Sequence, residues 1–545
     1  LNTNNVRKQL IVLSLIVLPA TASLAQTLKR PKLVVGIMID QMRWDYLYRY
    51  FDRYPEGGFK RLLGEGYSCE NTMIPYMPTV TACGHTCVYT GSVPAIHGMT
   101  GNSWFDNDLK REVYCTEDST VETVGSTSDE GKESPRNLLV TTVTDELRLA
   151  TNFKSKVIGI SFKDRASILP AGHLANAAYW YDHKTGAFIT STYYQKDLPD
   201  WVKAFNAQKL PDAYYKEGWN LAFPASTYTQ STEDSVAWEG TPFGKDQTHF
   251  PYKLSGFVGK NYAMLGTTPF GNAIIEEMCK AALTGEKLGQ GAQTDFLAVS
   301  FSSTDYVGHA FGPNSIEAED TYLRLDRTLA DLLSTLDAKV GKGQYLVFLT
   351  ADHGAAHAAG FLQSHDVPAG TVSLAAWRKG LEDRIEKVFY TPRLIRAVLN
   401  YQVYINQPLL DSMKLDRRRV ESEIVGYLMA QPGVARAFAL DRMDNEPLPE
   451  TIRTAVEEGY NPRRGGDIQV IVQPGWMDGG KTGTTHGVWN PYDAHIPLVW
   501  YGWGVKPGHL NRTVYMTDIA VTVAAKLHIQ MPNGAIGHVI EEVAN

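Results

Sequence analysis

The stretch Leu33-Val-Val-Gly-Ile-Met-Ile39 runs without a polar residue straight into Asp40. A short apolar run of this kind suits a strand buried on both faces of a sheet. The same pattern recurs along the chain. Lys156-Val-Ile-Gly-Ile-Ser161 leads toward Lys163 and Arg165. Asp295-Phe-Leu-Ala-Val-Ser-Phe301 leads toward Asp305, and Tyr345-Leu-Val-Phe-Leu-Thr350 leads into Asp352. Ile496-Pro-Leu-Val-Trp-Tyr501 follows His486. Helical segments are expected between these runs, at about 81–90, 137–151, 315–339 and 517–527. In the third, Leu323, Leu325, Leu329 and Leu332 fall near helical spacing. Alternating strands and helices predict an α/β fold, with a doubly wound, mainly parallel central sheet flanked by helices. Such sheets bind ligands beyond the carboxyl ends of their strands, where the polar clusters of this sequence fall.

Two regions break the alternation. Residues about 175–270 are rich in Tyr and Trp, and residues about 363–480 mix basic helices with turns. Both read as insertions capping a site. The chain has 545 residues, 43% apolar and 20% charged, which excludes a disordered or coiled-coil bulk. Its net charge of −7 disfavours a dedicated nucleic-acid binder, which needs a cationic surface. Five cysteines are too few for a disulfide scaffold and odd in number. Cys69–Cys115 is the pairing expected, and Cys83 and Cys87 are too close on one helix to bridge.

Arg7 and Lys8 precede an apolar run from Leu10 to Leu18, and small residues follow at Ser23-Leu24-Ala25. This is the layout of a cleavable export signal over residues 1–25, with a catalytic domain over residues 26–545. The run is too short to span a bilayer comfortably. No stable membrane anchor is expected, and the location implied is periplasmic or secreted.

The polar clusters carry chemistry. In Asp305-Tyr-Val-Gly-His309 a carboxylate and an imidazole are spaced to face one way on a helical turn. Asp352-His353-Gly354 offers two ligand types at a strand end, with a glycine that permits a sharp turn. His486 sits in a loop between Gly483 and Gly487. With Asp40 these give three carboxylates and three imidazoles, enough for two metal sites with open positions. In Pro78-Thr-Val-Thr81, Thr81 would begin a helix ended by Gly91. A hydroxyl at a helix start meets backbone N–H groups that favour an anion. Chemistry alone leaves Thr79 and Thr81 both open as nucleophile.

This ordered set resembles the alkaline phosphatase superfamily, and within it the bacterial phosphate-irrepressible enzymes that use a threonine nucleophile. Further matching segments are Ile39-Asp-Gln-Met-Arg-Trp-Asp-Tyr46, Lys163-Asp-Arg165-Ala-Ser-Ile-Leu-Pro and Ser303-Thr-Asp-Tyr-Val-Gly-His309. The resemblance implies two zinc ions and a covalent phosphothreonine on Thr81. It implies that Asp305, His309 and His486 hold one zinc, and that Asp40, Asp352 and His353 hold the other. Asn102, Lys163 and Arg165 match the residues that hold the phosphoryl oxygens. His85 could support the site, whereas His97, His357, His365 and His495 are not expected as ligands. The expected activity is hydrolysis of small phosphate monoesters by a monomer. The rivals are a phosphodiesterase or nucleotide pyrophosphatase of the same superfamily and a non-catalytic metal- or phosphate-binding protein of the envelope.

Overall fold

A computed structural model describes residues 29–544, so the export signal read at 1–25 lies outside the described residues. Residues 31–544 form one compact unit. At its centre are β1 (Leu33–Ile39), β2 (Val157–Ser161), β3 (Ala177–Tyr181), β4 (Asp295–Phe301), β5 (Tyr345–Thr350) and β6 (Leu498–Gly502). They lie side by side in the order β6-β5-β1-β4-β2-β3 within a ten-stranded sheet. From β5 to β3 every pairing is parallel. Strand β6 closes against β5 antiparallel. Every residue of β1, β2, β4 and β5 is buried, which is why these strands read as unbroken apolar runs.

Four helices matter for the site: α1 (Thr81–Thr90), α2 (Asp164–Ala171), α3 (Ser303–Phe311) and α4 (Ile316–Leu336). Helix α1 begins after the extended Val80 and ends at Gly91, which adopts φ +65° and donates its N–H to the Cys87 carbonyl. A left-handed terminus of this kind favours glycine. The expected helices near 137–151, 315–339 and 517–527 are found at Val143–Ala150, Ile316–Leu336 and Asp518–Leu527.

Two sequence expectations need correction. Residues 177–191, counted with the first insertion, instead form two strands of the central sheet, Ala177–Tyr181 and Phe188–Ser191. Their buried Tyr and Trp side chains are core residues of that sheet. No disulfide joins Cys69 to Cys115, and all five cysteines are buried free thiols. Cys69 belongs to the main core, whereas Cys115 packs in a separate cluster around Trp104. The region 363–480 has a core of its own, built on an antiparallel sheet of Ile395–Leu399, Gln402–Ile405, Ile468–Val472 and Val434–Ala439.

Helix α1 lies directly against the end of β5. A β-carbon on Gly84 would sit 2.3 Å from the Asp352 carbonyl oxygen and 2.6 Å from the Asp352 Cβ. The backbone cannot yield there without moving Asp352 away from α1. Gly84→Ala is expected to destabilise the fold by about 1–3 kcal/mol, an overpacking cost read from urea or thermal unfolding. An unchanged midpoint would mean that α1 and β5 can separate freely.

Candidate active site

Parallel strands end on the same edge of a sheet, and here that edge collects the polar residues. Asp40 follows β1, Lys163 and Arg165 follow β2, Asp305 follows β4, and Asp352 and His353 follow β5. Asp40, Asp352 and His353 are completely buried, and Asp305 nearly so. The ligand atoms of Asp40, Asp352 and His353 lie within 4.8 Å of one another, as do those of Asp305, His353 and His486. His353 therefore sits between the two triads, stacked on His486 with ring centroids 3.5 Å apart. His309 stands at the outer side, its Nε2 3.1 Å from Asp305 Oδ1. All six sequence-predicted ligands are thus brought together.

The three imidazoles are oriented alike. His309 Nδ1 faces the Thr484 carbonyl at 2.8 Å, His353 Nδ1 the Gly354 carbonyl at 2.9 Å, and His486 Nδ1 the Thr79 carbonyl at 2.7 Å. A carbonyl only accepts, so each Nδ1 must carry the proton. His353 and His486 are left with a lone pair at Nε2 aimed at the carboxylates, the arrangement of a ligating histidine. At His309 burial acts against protonation, but Asp305, 3.1 Å from its Nε2, outweighs it and raises the pKa. Burial, helped by His353 and His309, holds His486 well below the usual imidazole range, which keeps it neutral.

The carboxylates need positive charge. Burial pushes the Asp40 carboxyl well above its ordinary range, and Asp305 and Asp352 push it further. At Asp305 burial acts in the same direction, but His309 and Lys163 outweigh it and hold the carboxyl well below that range. Asp40 Oδ1, Asp352 Oδ2 and His353 Nε2 are buried without a hydrogen-bond partner. Unpartnered buried atoms from two carboxylates and one imidazole, beside Asp305, His309 and His486, fit metal cations.

Lys163 is the cation the chain itself supplies. Its Nζ lies 2.7 Å from Asp40 Oδ2, 2.5 Å from Asp305 Oδ2 and 3.5 Å from Thr81 Oγ1. Burial alone would lower its pKa, but Asp305 and Asp40 raise it instead. The Tyr306 ring lies 5.1 Å from the ammonium. Asn102 accepts the Ala82 N–H at 3.0 Å through Oδ1, placing its amide at the first turn of α1. Arg165 is not drawn into the carboxylate cluster. Its guanidinium donates to the Tyr114 hydroxyl at 2.9 Å, and Tyr114 donates to Asp164.

The two threonines part company. Thr79 donates its hydroxyl to the Val488 carbonyl at 2.8 Å and accepts the Gly487 N–H at 3.2 Å. The Thr81 hydroxyl faces Lys163. His85 lies behind them, its Nε2 2.9 Å from Ser300 Oγ and its Nδ1 3.3 Å from Asp352 Oδ2. Sequence reasoning missed Gln41, Tyr114 and Tyr306 as site residues. Gln41 and Tyr306 directly follow Asp40 and Asp305, and that adjacency was the available signal.

A carboxyl-edge cluster of three aspartates and three histidines facing a helix-starting threonine places this fold in the alkaline phosphatase superfamily. The family described as type I phosphodiesterase / nucleotide pyrophosphatase matches residues 34–493, and the chain belongs to it. Alkaline phosphatase PhoV of Synechococcus elongatus is 53% identical over 95% of this chain and 94% of its own length. Alkaline phosphatase PafA of Elizabethkingia meningoseptica is 52% identical over 94% of each. A solved structure of wild-type alkaline phosphatase PafA superposes with a TM-score of 0.93 at 52% identity, over 95% of this chain and 99% of that one. The protein is an enzyme of the alkaline phosphatase class. A further relative, from Myroides odoratus, is 50% identical over 95% of each chain and bears the name calcium-transporting ATPase. Among the described residues, no helix is long and apolar enough to cross a membrane.

His97 shows what a buried histidine outside the cluster does. Its Nδ1 accepts the Met99 N–H at 3.1 Å, and its Nε2 has no partner. Burial, aided by Arg464, pushes its pKa down to about 3 from 6.5. Burial acts the same way on His357. The unfolded chain therefore binds protons that folded His97 refuses, and stability falls as pH drops below about 6.5. His97→Gln is expected to recover on the order of 2 kcal/mol of the loss between neutrality and about pH 5, measured by urea unfolding at both pH values. An unchanged acid slope would show that His97 does not contribute.

Proposed function

We propose that the chain is a two-zinc phosphate monoester hydrolase that works through a phosphothreonine on Thr81. The observation that carries this reading is the position of Thr81. Its hydroxyl begins α1, lies 3.5 Å from Lys163 Nζ, and faces the carboxylate–imidazole cluster. Thr79 is spent on the Val488 carbonyl, which leaves Thr81 as the available nucleophile.

Asp305, His309 and His486 would hold one zinc, and Asp40, Asp352 and His353 the other. When bound, the ions lower the pKa of coordinated oxygens and neutralise charge on the reacting phosphate. The remaining work belongs to the chain. Thr81 Oγ1 attacks phosphorus as its proton is lost to solvent, the P–O bond to the ester alcohol breaks and the protonated alcohol leaves. Water then breaks the Thr81 Oγ1–phosphorus bond to release inorganic phosphate and restore the hydroxyl. Lys163 and the Asn102 amide stand within the first turn of α1, where phosphoryl oxygens would lie against backbone N–H groups. Arg165, fixed by Tyr114, adds positive charge close enough to act on Lys163.

Charge selects the substrate. Two divalent ions with Lys163 and Arg165 outweigh three aspartates. A monoester dianion with a Thr81 alkoxide neutralises the surplus, whereas a diester monoanion leaves part of it unmatched. The family's description favours the second reading, a phosphodiesterase or nucleotide pyrophosphatase. Lys163 and Arg165 favour monoesters. We place the enzyme in the periplasm or outside the cell, on the strength of the export signal read in the sequence.

Purified protein should be assayed on matched aryl phosphate monoester, diester and sulfate, with and without a chelator. Monoester turnover should dominate and chelation should abolish it; faster diester turnover would overturn the reading. Thr81→Ala should remove turnover by at least about a thousandfold while zinc, counted by elemental analysis, stays bound. Lys163→Ala with Arg165→Ala should damage monoester turnover more than diester turnover. Equal losses would refute the charge argument.

A further inference from the structure

Gln41 follows Asp40 and carries a left-handed backbone, φ +63°. A residue with a β-carbon is disfavoured there, and glycine is the ordinary occupant of such a turn. The side chain is nevertheless large and buried. Its Nε2 donates to Asp305 Oδ1 at 2.8 Å. Its main-chain N–H donates to Asp352 Oδ1 at 3.1 Å. One residue thus grips a carboxylate oxygen in each of the two ligand sets.

The partner surface is shaped to admit the amide. Gly308 lies on α3 between Asp305 and His309, and a β-carbon there would come within 1.9 Å of Gln41 Oε1. A left-handed glutamine on one side and a glycine on the other together make a slot for one carboxamide. The amide is neutral. It orients Asp305 without cancelling the negative charge that a cation needs, which Lys163 does cancel. Asp352 Oδ2 is left without a hydrogen-bond partner, while Oδ1 is held by the Gln41 N–H.

We infer that Gln41 is a positioning residue whose carboxamide orients Asp305 for its metal, while its main-chain N–H, with that of His353, ties Asp352 Oδ1 to the same turn. This inference rests on the two-metal reading above. Neutral partners that orient ligating side chains are typically worth about 10–100-fold in metal affinity or activity.

The test uses the full-length enzyme, Zn2+ titrated against a competing chelator, and kcat and KM on an aryl phosphate monoester. Gln41→Gly relieves the left-handed backbone and removes the amide. Gln41→Met keeps side-chain volume and removes the carboxamide, donor and acceptor together. Gly308→Ala closes the slot from the opposite side. Each should weaken Zn2+ binding by about 10–100-fold and lower kcat with little change in KM. The metal-free melting temperature of Gln41→Gly should stay at or above that of the wild type, separating positioning from folding. If Gln41→Gly does not fold, the same comparison is read from Gln41→Met. Wild-type Zn2+ affinity and kcat in both Gln41→Met and Gly308→Ala would overturn the inference. A wild-type enzyme that binds no Zn2+ would overturn the two-metal reading itself, and with it the role of Gln41.

Discussion

Three carboxylates, Asp40, Asp305 and Asp352, converge in a space that excludes water, and everything around them answers that charge. Buried ions of one sign are held only where opposite charge and hydrogen bonds offset the lost hydration. Lys163 offsets part of it, touching Asp40 and Asp305 but not the Nε2 atoms of the imidazoles. His353 and His486 face the same carboxylates with lone pairs rather than protons. Lone pairs facing carboxylates repel one another unless a cation lies between. The buried, unpartnered atoms of Asp40, Asp352 and His353 mark where a metal cation would relieve that repulsion.

The parallel sheet makes the convergence possible. Asp40 and His486 are far apart in sequence, yet strands that point the same way deliver their following residues to one edge. His486 comes from a loop rather than a strand end. It is fixed by its bond to the Thr79 carbonyl, two residues before Thr81. The same loop donates the Gly487 N–H to Thr79 Oγ1. Thr79 is thus a strut between His486, the last candidate ligand, and the start of α1. That is why two threonines in one short motif serve different ends, and why spacing alone could not choose between them.

How much the sequence revealed follows the same physics. The strands were legible because burial on both faces leaves no room for polar residues, so β1, β2, β4 and β5 announced themselves as apolar runs. Strand β3 was read as part of an insertion. Its Ala-Ala-Tyr-Trp-Tyr pattern resembles cap packing until its parallel partner β2 is known. The six candidate ligands were legible because five fall at or just after a strand end or in a glycine-bracketed loop, and His309 lies one helical turn after Asp305. Gln41 was not, because its importance lies in a backbone angle and in the missing side chain of Gly308, and sequence shows neither. The Cys69–Cys115 pairing failed for a related reason: proximity between clusters is set by tertiary packing.

The net charge of the chain also takes on a local meaning. A global −7 describes the surface, whereas the chemistry depends on the few charges that no water screens. At the carboxyl edge the chain spends three aspartates and recovers two cations, Lys163 and Arg165, from the turn after β2. The order of these residues matters more than their sum. Lys163 is placed where it can neutralise aspartates or face a phosphate, while Arg165 is tied to Tyr114 and set back. A neutral clamp such as Gln41 is then the only kind of group that can fix Asp305 without competing for it. A third cation in its place would neutralise the ligand, and a third anion would repel it. Positioning by a carboxamide is the solution that leaves the carboxylate charge intact for a metal.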